Sequence, residues 1–252
     1  MKTVDLNADL GESFGAYTIG CDETIIPLIT TANIACGYHA GDAQVMAKSV
    51  RLCRENGTAL GAHPGLPDLV GFGRRVMKVT PEEARNDVLY QVGALSAIAH
   101  AEGLTLHHVK LHGALYNMAA TDYALSKAIF EGLKAFDPNL TMLVLSGSEM
   151  QKAAEDLGMK TACEVFADRA YMADGSLVPR SMPGSMITDE NEAVRRTVRM
   201  VKEGIVTAID GSDVPVRADS VCVHGDGEKA LLFTRRLKEA LENEGITLRT
   251  FA

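Results

Sequence analysis

Short apolar runs of β type alternate along the chain with longer stretches of helical period. Runs at residues 4–10, 31–36, 59–62, 106–112, 142–145, 162–166 and 220–224 read as seven strands. The helical stretches between them carry readable ends. Thr80-Pro81-Glu82-Glu83 combines a capping threonine, a proline suited to the first turn and a glutamate three places on. Ala84, Val88, Val92, Leu95 and Ile98 then share one face. Gly57, Gly103, Gly158, Gly204 and Gly245 read as helix stops, and Asp42, Ser148, Thr188 and Asp226 as further caps. Residues 205–209 and 214–216, on either side of Asp210-Gly211-Ser212-Asp213, predict a β-hairpin ahead of the last strand. The pattern predicts one α/β domain over residues 1–252 with that hairpin appended near 205–217. Strands separated by helices pair in parallel with right-handed crossovers, which fits an open doubly wound sheet or a closed barrel.

Composition narrows the function classes. Twenty-five Lys and Arg against 33 Asp and Glu give a net charge of −8, which argues against general nucleic-acid binding. Hydrophobic residues at 46% and charged residues at 23% exclude a disordered chain. No apolar run approaches ~18 residues, so no membrane span is expected. No signal peptide is readable at the amino end. Cys21, Cys36, Cys53, Cys163 and Cys222 are odd in number and contain no Cys-x-x-Cys pair, as expected of reduced thiols in a cytoplasmic protein.

The chemistry-bearing residues gather at strand ends. In the first strand Asp5, Asn7 and Asp9 share one face and Val4, Leu6, Ala8 and Leu10 the other. In a barrel the outer face meets helices, so the polar triple points inward, as a satisfied structural network or as part of a site that Glu12 extends. His39 follows the second strand and His63 ends the third. Together with Asp9 they could supply the carboxylate and imidazoles of a divalent metal site. His108, Lys110 and His112 share a face of the fourth strand, with Lys110 either paired to an inner carboxylate or chemically active. Glu164, Phe166 and Asp168 share a face of the sixth strand. Arg169 and Arg180 in the loop beyond could bind a carboxylate or phosphate. His224 stands at the exit of the last strand. Such carboxyl ends are where α/β folds place their sites. Neither Gly-x-x-x-x-Gly-Lys-[Ser/Thr] nor Gly-x-Gly-x-x-Gly occurs.

Taken together, these segments resemble the LamB/YcsF family. They are residues 4–15 (VDLNADLGESFG), 32–42 (ANIACGYHAGD), 61–65 (GAHPG) with 71–75 (GFGRR), 108–117 (HVKLHGALYN), 166–171 (FADRAY) and 223–226 (VHGD). The likeness is collinear from residue 4 to about residue 245, and Leu111 departs from it, standing where the family usually has proline. The resemblance implies a distorted seven-stranded parallel β/α barrel, similar to the glycoside hydrolase/deacetylase fold. It also implies ATP-dependent opening of 5-oxo-L-proline to L-glutamate with ADP and phosphate. ATP would be co-substrate and subunits B and C of a 5-oxoprolinase the partners, with a homo-oligomer left open. On that basis Asp9, His39, His63, Lys110 and His112 are the expected catalytic residues. Asn7, Glu12, Glu164, Arg169, Arg180 and His224 are expected around the substrate. Two other classes fit the same residues: a metal-dependent deacylase of carbohydrate type, and a non-catalytic substrate-binding or regulatory subunit.

Overall fold

In the computed structural model, which describes residues 2–223 and 228–251, strands run in chain order. They are β1 (Lys2–Leu10), β2 (Thr31–Ala35), β3 (Ala59–His63), β4 (His108–Val109), β5 (Thr141–Leu145), β6 (Lys160–Phe166), β7 (Ile205–Thr207), β8 (Asp213–Pro215), β9 (Ser220–Val223) and β10 (Ile246–Leu248). The helices are α1 (Asp22–Ile25), α2 (Ala43–Asn56), α3 (Pro81–Ala101), α4 (Gly113–Thr121), α5 (Tyr123–Phe136), α6 (Glu149–Asp156), α7 (Glu190–Glu203) and α8 (Glu228–Asn243). β1 to β6 pair in sequence, β6 pairs with β9 and β9 with β1, all in parallel. That closes a seven-stranded barrel, the second of the two architectures the strand pattern allows. β7 and β8 form the predicted hairpin, with Val206 opposite Val214.

Local chemistry sets the helix ends. Thr80 and Glu83 cap each other at the start of α3, and the face Ala84, Val88, Val92 and Leu95 is fully buried. Asp42 accepts from Gln44 N and Val45 N at α2, and Ser148 accepts from Gln151 N at α6. At α7 the cap is Asp189, one residue beyond the predicted Thr188, because its carboxylate reaches Glu192 N. Asp226 lies outside the described residues.

Two differences from the sequence pattern have simple causes. The fourth strand is predicted over 106–112, but its ladder holds only His108–Val109. Extended backbone continues irregularly, with Lys110 N donating to Ala62 O and His112 N to Pro64 O. β10 is too short for its period to be read, and it lies parallel to Lys2–Val4 outside the barrel ring.

Outside the strands, Leu6, Ile34, Val109 and Val165 join a continuous apolar core. Inside, the barrel is polar. Asp5, Asn7, Asn33, His108, Lys110 and Glu164 are all buried, where barrels of this kind usually pack branched apolar side chains. Each needs a partner, since a buried polar group without one costs ~1–3 kcal/mol. Asp5 accepts from the hydroxyls of Thr30, Thr31 and Ser220. Asn7 donates to Ser220 and accepts from Asn33 at 2.8 Å, and His108 Nε2 donates to Asn33 Oδ1 at 2.6 Å. Room for that ring comes from Gly61, where a Cβ would lie 2.1 Å from His108 Nε2.

None of the five cysteines is in a disulfide, and burial pushes the thiols of Cys36, Cys53 and Cys163 up to about 12. Among the described residues no helix is long and apolar enough to cross a membrane.

Candidate active site at the carboxyl end of the barrel

The loops leaving β1 and β2, the last residue of β3 and the chain beyond β4 bring four side chains to one point. Glu12, His39, His63 and His112 are each buried, and one ligand-type atom of each lies within 4.8 Å of the others. His39 stacks flat on His112, ring centroids 3.6 Å apart, and His63 meets His112 edge-on at 4.8 Å. His39 Nε2 lies 3.3 Å from Glu12 Oε1, and His112 Nδ1 lies 2.9 Å from His63 Nε2. Burial holds His39 and His112 well below the usual histidine range, and neighbouring rings add to the effect.

Asp9 borders this group, with Oδ2 3.3 Å from His63 Nε2. Its Oδ1 accepts from Asn33 Nδ2 at 2.9 Å and Lys110 Nζ at 3.0 Å. Lys110 crosses the barrel to lie 2.9 Å from Glu164 Oε2 as well. Of the two roles open to Lys110 from sequence, the structure displays the paired one. Burial opposes its charge, but Asp9 and then Glu164 outweigh it and hold the ammonium well above the usual lysine range. Tyr116 is buried beside Glu164, and burial first, then that carboxylate, raises its hydroxyl well above the usual tyrosine range.

The sequence-predicted residues therefore divide. Asp9, His39, His63 and His112 converge as expected, with Glu12 completing the four-residue group in the place expected for Asp9. Asn7 and Glu164, expected around the substrate, are fully buried inside the barrel and taken up by its network. Arg169 is also buried, donating to Val178 O and Ser185 O, and burial lowers it to about 10. Its guanidinium ties the loop together through those two carbonyls. Arg180 stands exposed with Nη1 3.4 Å from Met186 Sδ. His224 lies outside the described residues.

Several contributors carry only a faint sequence signal. Phe72 has φ 55°, in the left-handed region unusual for a bulky residue, and its carbonyl accepts from His112 Nε2 at 2.9 Å. The glycines on either side of Phe72 are the one hint. Gly73 is required by space, since a Cβ there would lie 2.7 Å from His39 Cβ. Gln91 interrupts the apolar face of α3 and clamps Gly65, accepting from its N–H at 3.0 Å and donating to its carbonyl at 2.8 Å. Arg74 lies over the Phe72 ring at 4.9 Å and acts electrostatically on both His39 and Arg180. Burial first, then Arg74, lowers Arg180. Among the described residues neither Arg74 nor Arg180 makes a salt bridge.

At the opposite, amino-terminal end a cleft of about 640 Å³ is lined by Thr3, Thr161, Arg217, Asp219 and Arg249. Arg217 is neutralised there by Asp219 at 2.6 Å, and among the described residues no histidine lines the cleft. The convergent chemistry is at the carboxyl end.

Comparison with known proteins agrees with this architecture. A chain from Clostridium beijerinckii named as the A subunit of 5-oxoprolinase is 55% identical over 248 residues, covering 98% of this chain and 97% of that one. One of the same name from Pyrococcus abyssi is 56% identical over 243 residues, covering 96% and 95%. The crystal structure of a lactam utilization protein from Thermus thermophilus superposes with a TM-score of 0.93 at 53% identity, covering 100% of both chains. The LamB/YcsF family model matches residues 4–252, and the chain belongs to that family.

Proposed function

We propose that this chain is the A subunit of an ATP-dependent 5-oxoprolinase and acts with subunits B and C to open 5-oxo-L-proline to L-glutamate. The observation that carries this reading is the near-full-length match, above half identity, to proteins that bear the A-subunit name of that enzyme. ATP is the co-substrate of the assembled enzyme, and the cytoplasm is its compartment.

A five-membered lactam is an unreactive amide. Phosphorylating its oxygen makes the ring carbon electrophilic, and water must then attack with a base at hand. Asp9 suits that base. Lys110 and Asn33 donate to Oδ1 and hold it in place, while Oδ2 turns toward His63. Lys110 and Asn33 act as positioning residues. Arg74 and Arg180, which make no salt bridge among the described residues, suit the substrate carboxylate better than the buried Arg169. His39, His63 and His112 line the same end. Phe14 and Tyr17 on the loop after β1, with Leu69, Val70 and Val76 on the loop after β3, leave apolar surface for a partner subunit.

The test is 5-oxoproline-dependent release of glutamate and phosphate by this chain, by subunits B and C, and by the mixture. Turnover is expected only from the complete mixture. Equal turnover by B and C without this chain would overturn the reading.

A further inference from the structure

We infer that Glu12, His39, His63 and His112 form a binding site for one divalent first-row transition-metal ion. Two backbone carbonyls fix where the ring hydrogens lie. His63 Nδ1 is 2.9 Å from Lys110 O, and His112 Nε2 is 2.9 Å from Phe72 O. A carbonyl only accepts, so each of those nitrogens donates. In the neutral rings the remaining nitrogens, His63 Nε2 and His112 Nδ1, then carry lone pairs. These two atoms face each other at 2.9 Å. Two lone pairs at that distance repel unless a cation sits between or beside them.

The surroundings add negative charge. Glu12 Oε1 is 3.7 Å from His112 Nδ1 and 3.3 Å from His39 Nε2. Asp9 Oδ2 is 3.3 Å from His63 Nε2. Among the described residues His39 Nδ1 is buried with no hydrogen-bond partner. Ligand atoms ~2.1 Å from one ion lie roughly 3–4 Å from each other, close to the spacing here.

The rings are also oriented as metal-bound histidines are. A ligating imidazole usually donates its second N–H to a carbonyl or carboxylate, which fixes its tautomer. His63 and His112 both do so through backbone carbonyls, one of them on the strained Phe72. Phe72 packs edge-on against His39 and His112 at 5.7 and 5.5 Å and restrains both rings. Three imidazoles and one carboxylate favour Zn²⁺ and its first-row neighbours over Ca²⁺ or Mg²⁺, which take oxygen ligands. This site rests on side-chain geometry and not on the proposed lactam reaction.

The experiment is a Co²⁺ titration of the chelator-stripped full chain, read by visible ligand-field bands, with Zn²⁺ as competitor. The expected result is one Co²⁺ per chain, displaced by Zn²⁺. Glu12→Gln and His63→Asn should each weaken binding by at least ~10²-fold on the scale of lost metal contacts. His100→Asn, on the exposed face of α3, should leave it unchanged. Absence of ligand-field bands would overturn the proposal, as would equal affinity in Glu12→Gln and His63→Asn. Should either variant fail to fold, histidine NMR of the parent chain decides. Zn²⁺ must shift the His63 and His112 ring signals while both ring N–H signals persist. A single proton shared between the two rings, with no response to Zn²⁺, overturns it. Metal bound at this site in a chain with no role in lactam turnover would leave the inference standing.

Discussion

Lys110 and Asp9, 101 residues apart in the chain, meet at 3.0 Å across the barrel interior, and the same ammonium lies 2.9 Å from Glu164. One cation thus serves the fully buried Glu164 and the partly buried Asp9. Removing it leaves both without their counter-charge in a medium that solvates them poorly. Lys110→Met should therefore destabilise the chain by about 3–5 kcal/mol, as expected for breaking a buried ion pair. Denaturant unfolding of Lys110→Met, Glu164→Gln and the double variant checks this. The double variant should be more stable than Lys110→Met alone. Additive losses would show that Lys110 and Glu164 are not coupled.

Arg74 and Arg180 are proposed to hold the substrate carboxylate. If they do, Arg74→Ala should raise KM for 5-oxoproline by about 10- to 100-fold, on the scale of one charged hydrogen bond. Stability should change little, because Arg74 is exposed and its contact is the Phe72 ring. Steady-state kinetics of the assembled enzyme measures this. An unchanged KM in Arg74→Ala and in Arg180→Ala would remove both from the substrate site.

Much of this site follows from alternation and from strand ends. The parity of Val4, Leu6, Ala8 and Leu10 puts Asp5, Asn7 and Asp9 on the inner face; Asp5 and Asn7 are buried there, and Asp9 meets Lys110 and Asn33. His39, His63 and His112 stand at or just beyond the carboxyl ends of three consecutive barrel strands, so closing the barrel brings them together. What the sequence does not carry is distance across the barrel. Glu12 joins the histidines because the chain turns back after β1, and no periodicity extends into a loop. Lys110 reaches both Asp9 and Glu164 because the three strands face one another, which pairing order alone does not tell. Arg169 reads as a ligand-binding arginine, yet its loop folds two carbonyls onto the guanidinium.

Asp5 predicts a pH effect. Burial raises its carboxyl to about 6, against the hydrogen bonds from Ser220, Thr30 and Thr31. An unfolded aspartate ionises near ~4. Between those values the folded chain binds more protons than the unfolded one, so stability falls as pH rises from about 4 to 6. The loss from this group is on the order of 3 kcal/mol and is complete above the folded value. Asp5→Asn should flatten that slope. Urea unfolding at several pH values between 4 and 7 decides, and parallel slopes for the two chains would refute it.

Leu111 stands where the resemblance to the family leads one to expect proline, and the structure shows why either residue fits. Lys110 N and His112 N donate to the carbonyls of Ala62 and Pro64 on the β3 side. Leu111 N points away from that side, and the β4–β5 ladder already ends at Val109 opposite Met142. Among the described residues Leu111 N–H makes no hydrogen bond, so proline would remove none. The backbone there is extended, with His112 at φ −98° and ψ 144°. The Leu111 side chain is buried in the apolar core, and trimming it costs about 1 kcal/mol. Proline restricts the unfolded chain and returns roughly 0.4–1 kcal/mol. Leu111→Pro should therefore shift stability by no more than about 1 kcal/mol and leave turnover of the complex within about twofold. Thermal unfolding and turnover measure both. A loss above tenfold with stability intact would show that the Leu111 side chain, and not the backbone alone, sets the direction of Lys110 and His112.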